Sequence, residues 1–112
     1  MEVQTAFKIS ASISAKKSAS KSGDAYPISI RIINRSSMDF VKAEVSVKDT
    51  ESNQHDTAYF GLISANSTSE EILHLPGGIE FCTFRITPRV GEDITGGGIA
   101  GNAPGVDITI DD

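Results

Sequence analysis

His55, His74 and Cys82 are the side chains of this chain that could act as nucleophile, general base or soft metal ligand. A Cys–His pair would need His74 and Cys82 to meet at a concave, partly exposed site. Cys82 lies instead in an alternating apolar pattern, where a cysteine reads as a small core residue. Asp49-x-Glu51-x-Asn53, with Asp56 close behind, puts oxygen ligands at alternate positions, as calcium requires. Gln54 stands where an EF-hand loop needs glycine, and Phe60 where it needs glutamate, so the run reads as a solvated polar turn. A calcium site completed by Asp24 is the alternative. Gly96-Gly97-Gly98-Ile99-Ala100-Gly101 matches the spacing G-x-G-x-x-G. No helical pattern follows it and Pro104 comes soon after, so it cannot place a pyrophosphate at a helix N-terminus. There is no nucleophile elbow and no P-loop. The expectation is a protein that is not an enzyme, with no catalytic residues, no metal and no cofactor.

The elements that would carry these residues are strands. Ile28, Ile30 and Ile32 alternate with Ser29 and Arg31, and Val41, Ala43, Val45 and Val47 alternate with Lys42, Glu44, Ser46 and Lys48. Successive side chains of an extended chain point to opposite sides, so strict alternation marks a half-buried strand. Between these runs, 34–39 supplies the Asn, Ser and Asp that favour turns. A first strand is predicted over Val3 to Ala15, with Val3, Phe7, Ile9, Ala11 and Ile13 as core candidates. A loop follows from Lys16 to Asp24. The polar break over 49–56 leads to a short strand, Ala58 to Ile63, and a turn over 64–69 to another, Glu70 to Leu75. Pro76-Gly77-Gly78 ends that strand. Ile79 to Ile86 shows Cys82, Phe84 and Ile86 on one face and Phe81, Thr83 and Arg85 on the other, and either face could be the core. Pro88 to Gly105 holds six of the ten glycines and reads as a long loop. Val106 to Ile110 closes the chain as a last strand.

The chain has 112 residues, the size of one domain spanning 1–112, and can bury a core without disulfides. Its single cysteine excludes an internal disulfide. The net charge of −5 is uneven. Residues 1–56 carry eight basic and seven acidic side chains (+1), and 57–112 carry two and eight (−6). Nucleic-acid binding needs a basic stripe. Lys16, Lys17 and Lys21 cluster only in a serine-rich connector without aromatics, so no nucleic-acid partner is expected. No run suits a signal peptide or a membrane span, so the expected location is cytoplasmic by default. Asn34-Arg35-Ser36 and Asn66-Ser67-Thr68 match the glycosylation acceptor pattern, which matters only in a secretory context.

About seven short strands separated by turn signals describe an all-β sandwich or barrel. The stretch from residue 27 to 86 resembles immunoglobulin-like modules of adhesion and cell-surface repeats. There, an apolar strand ends in Asn plus a small residue, a second alternating strand follows, and a Gly-x-Leu-x-Ala-x-Ser stretch comes later. Gly61-Leu62-Ile63-Ser64-Ala65-Asn66-Ser67-Thr68 is similar to that stretch. The chain departs from antibody-type domains in having no tryptophan and no cysteine pair. The resemblance implies an immunoglobulin-like Greek-key sandwich of antiparallel strands and no particular ligand.

The functional expectation is a non-enzymatic binding or interaction module, its partner another protein or a surface glycan. The Gly-rich loop would read the partner, with Arg89, Glu92, Asp93, Ile94, Ile99 and Asn102 beside Asn34 and Asn66. The alternative is a structural subunit of a virion or surface appendage, a homo-oligomer joined through strand edges, with Val3 to Ala15 as the exposed edge.

Overall fold

In a computed structural model, residues 10–15 and 26–111 are described, with side-chain surroundings over 26–111. They form eight strands: β1 (Ser10–Ala15), β2 (Tyr26–Asn34), β3 (Phe40–Asp49), β4 (His55–Phe60), β5 (Ser67–Leu75), β6 (Ile79–Pro88), β7 (Ile94–Ala103) and β8 (Gly105–Asp111). One sheet has the order β1-β8-β2-β5 and the other β4-β3-β6-β7. Their apolar faces share one core. Ile28, Ile30, Ile32, Val106, Ile108 and Ile110 come from the first sheet, and Ala43, Val45, Val47, Cys82, Phe84 and Ile86 from the second. Among the described residues there is no helix long and apolar enough to cross a membrane.

Five expectations are corrected. The segment from Pro88 to Gly105 is not a long loop. Four of its six glycines (Gly96, Gly97, Gly98 and Gly101) lie in β7, a ten-residue strand paired antiparallel to β6 from Ile86–Ile94 through Phe81–Ile99. Glycine has no side chain to alternate, so a strand built of it shows no period of two. The first sheet is mixed: β8 runs antiparallel to β1 but parallel to β2, with Ile32 opposite Ile108. The turn at Pro104 carries the chain from β7 in one sheet to β8 in the other, and β8 then takes β2's direction. Val41 does not share the face of Val45. A register shift between Phe40 and Lys42 leaves Val41 exposed and gives its inward place to Phe40. Finally, Ser67 to Ser69 belong to β5, and Ile63 lies outside β4, bridged to Phe40.

The inward face of β6 is that of Cys82, Phe84 and Ile86. The core candidates Val3, Phe7 and Ile9 lie outside the described residues, as do the side-chain surroundings of Ala11 and Ile13.

Candidate functional site

Strand directions put the turns β3–β4, β5–β6 and β7–β8, with the start of β2, at one end of the molecule. They enclose a cleft of about 400 Å³ lined by Tyr26, Thr50, Glu51, Gly77, Gly78, Asn102 and Pro104. Its floor is organised by Asp49, the last residue of β3, which is fully buried. Asp49 Oδ2 accepts from the Glu51 amide (3.1 Å), the Ser52 amide (2.6 Å) and the Ser52 hydroxyl (2.8 Å). Its Oδ1 accepts from the Gly77 amide at 2.8 Å. One carboxylate thus folds its own turn, as aspartate does at turns, and fastens it to the next. Thr50 doubles the fastening, donating its amide (2.9 Å) and hydroxyl (3.1 Å) to the Gly78 carbonyl. Burial pushes the Asp49 carboxyl up, but the four hydrogen bonds from Ser52, Gly77 and Glu51 outweigh it and hold the group below the ordinary range.

Asn102 reaches this cleft because β7 bulges. Ile79 pairs with Ala103 and Phe81 with Ile99, so two steps of β6 face four of β7. The excess is taken up where Gly101 and Asn102 both adopt left-handed backbone, at φ 62° and 67°. Bulges of this kind re-aim side chains and occur beside functional sites. Asn102 sits directly over Gly78, where an added Cβ would stand 2.7 Å from Asn102 Oδ1 and from its carbonyl oxygen. Only glycine permits that approach. Among the described residues, neither the Asn102 amide nor the Glu51 carboxylate has a hydrogen-bond partner for its side chain. Two polar groups therefore converge on the cleft unspent.

The sequence-predicted residues divide between the two ends and a face. Asn102 is in the cleft. At the other end the turns β2–β3, β4–β5 and β6–β7 meet: Asp39 accepts from the Ala65 amide (2.9 Å) and from Arg89 Nη2 (3.5 Å). Asn34 is buried beneath them. Its Nδ2 donates to the carbonyls of Met38 (2.8 Å) and Ser64 (3.0 Å), and its Oδ1 accepts from the Ser36 amide and hydroxyl. Its amide is occupied in holding turns together. Asn66 is exposed in left-handed backbone, Glu92 and Asp93 are exposed in the β6–β7 turn, and Ile94 packs against the core. Ile99, 87% exposed, stands on the outer face of the second sheet.

Sequence reasoning missed Tyr26, Thr50, Glu51, Gly77, Gly78 and Pro104 as one site. The Pro76-Gly77-Gly78 turn and the run after Asp49 were the available signals, but nothing in the sequence joins them. Asp49 spends both carboxylate oxygens on protein donors, so it is a turn organiser here. Cys82 faces the core in the second sheet, where burial pushes its thiol up to about 11, while His74 is exposed on β5 of the first sheet. The two do not form a pair. A second groove, also of about 400 Å³, crosses the outer face at Glu44, Ser46, Thr83, Arg85 and Thr95.

These features define an all-β protein of two sheets with a polar cleft at one end. No protein-family model and no curated protein matches the chain. Among solved structures it is similar to a protein from Eubacterium rectale determined by NMR. The two are 15% identical, with a TM-score of 0.58 over 76% of this chain and 77% of that one. At that identity the likeness shows the fold alone.

Proposed function

We propose that the chain is a non-enzymatic binding module on an immunoglobulin-like sandwich and that it takes its ligand in the cleft between Glu51, Gly78 and Asn102. The immunoglobulin-like type is supported by two sheets with β2 and β5 paired in one and β3 and β6 paired in the other. Insertion of β8 between β1 and β2 distinguishes this variant. The carrying observation is the convergence of two unpartnered polar side chains on a cleft whose floor is locked by Asp49. Concave sites with a few convergent polar groups are where small ligands bind, and a floor ordered in advance lowers the entropy cost of binding. The test is a fragment screen followed by amide chemical shifts. Saturable shifts should cluster at Thr50, Glu51, Gly77, Gly78 and Asn102. Shifts clustering at Asp39, Ala65 and Arg89 instead would move the site to the opposite end and overturn the assignment.

A second reading is self-association through strand edges. It is favoured by β7, an edge strand with Gly96, Gly97 and Gly98 at its centre and neither lysine nor proline within it. Sedimentation at tens of micromolar decides it: a clean monomer sinks the assembly reading.

A further inference from the structure

Granting that the cleft is the binding site, we propose that its ligand is a neutral sugar residue, such as a terminal hexose of a glycan. The lining divides by chemistry. Tyr26 and Pro104 contribute rings, suited to the apolar C–H face of a pyranose. Glu51 contributes an acceptor, Thr50 a hydroxyl oxygen that still accepts while its proton is held by the Gly78 carbonyl, and Asn102 an amide that both donates and accepts. Vicinal sugar hydroxyls, each at once donor and acceptor, are the complement of such a mixed set. A cationic ligand would have Glu51 alone to neutralise it, and an anion would meet that carboxylate with no compensating cation among the lining residues. The volume of about 400 Å³ lies in the range of small-molecule sites. Gly77 and Gly78 let Glu51 and Asn102 close over them, which sets those two side chains at the cleft.

The test uses methyl α- and β-hexopyranosides as probes, with butylamine and acetate as charged controls, each titrated into isotopically labelled protein. The glycosides should give saturable shifts at the amides of Thr50, Gly77, Gly78 and Asn102, at millimolar concentrations. Asn102→Gly keeps the left-handed backbone that Asn102 adopts while deleting the amide. It should weaken glycoside binding at least tenfold with an unchanged melting temperature. Binding of butylamine or acetate in the cleft without the glycosides would overturn the sugar assignment and leave the cleft as the site. If no fragment and no probe perturbs the cleft, both fall. If Asn102→Gly binds glycoside as well as the parent protein does, the assignment of Asn102 is wrong and the sugar proposal is overturned with it.

Discussion

Asp49 shows how much one side chain decides here. It is fully buried, an environment that disfavours a carboxylate unless its oxygens are satisfied. Four donors satisfy them, all from the two turns that floor the cleft. Asp49→Ala would leave three amides without that acceptor, so a loss of at least about 2 kcal/mol is expected by urea unfolding. The pH dependence follows from the lowered folded-state value. The unfolded carboxyl titrates near pH ~3.9, so this contribution is complete above that pH and is lost as pH falls through the lower folded value. Asp49→Asn should therefore flatten the acid limb of the stability profile as pH falls below the unfolded carboxyl value of about 3.9; an unchanged limb would show that another group sets it. The same geometry predicts that millimolar calcium leaves the melting temperature unchanged, since both Asp49 oxygens are already engaged by protein donors. A rise with calcium that Asp49→Asn abolishes would reverse that conclusion.

At the scale of elements, the strands differ in what holds them. β2 and β3 are held by their own burial. Ile30 and Val45 are fully buried at the middle of alternating strands. Ile30→Ala should cost about 2–5 kcal/mol and Val45→Ala somewhat less, because each deletes buried methyl groups and leaves a cavity. Losses below about 1 kcal/mol at both in a denaturant titration would mean the cavities close by repacking. β7 is held differently, by close approach. A Cβ added at Gly96 would lie 2.6 Å from the end of the Phe84 ring, which is itself buried. Gly96→Ala must displace that ring, and overpacking of this sort costs about 1–3 kcal/mol. If its melting temperature matched the parent's, Phe84 would have room the structure does not show. β5 carries an edge-strand device: Glu71, opposite Ile30 in register and so on the core side, is exposed, a charge that opposes pairing with another chain. β7 has no such charge, and this asymmetry makes sedimentation worth measuring.

For the whole molecule, the two ends have different characters. One end closes on itself through Asn34, Asp39 and Arg89, whose side chains are engaged within the protein. The other leaves Glu51 and Asn102 unengaged around a cleft. The proposed binding module rests on this difference between the ends, which the strand directions set.

What the sequence determined by itself was local. Alternation placed β2, β3, β6 and β8 to within a few residues and put Ile30 and Val45 on the apolar faces that turn inward, because the period of two is written in side-chain type. It also marked Pro76-Gly77-Gly78 and 34–39 as turns. Tertiary structure alone decided the rest. Either face of β6 was apolar enough for the core, and its two sheet neighbours chose Cys82, Phe84 and Ile86. The glycines of β7 carry no alternation, so only pairing with β6 reveals that strand. The bulge at Gly101 and Asn102 exists only in that pairing, and it sets Asn102 over Gly78. The cleft unites residues from 26 to 104, and such distant positions meet only when sheet order and strand direction are set by packing of the whole chain.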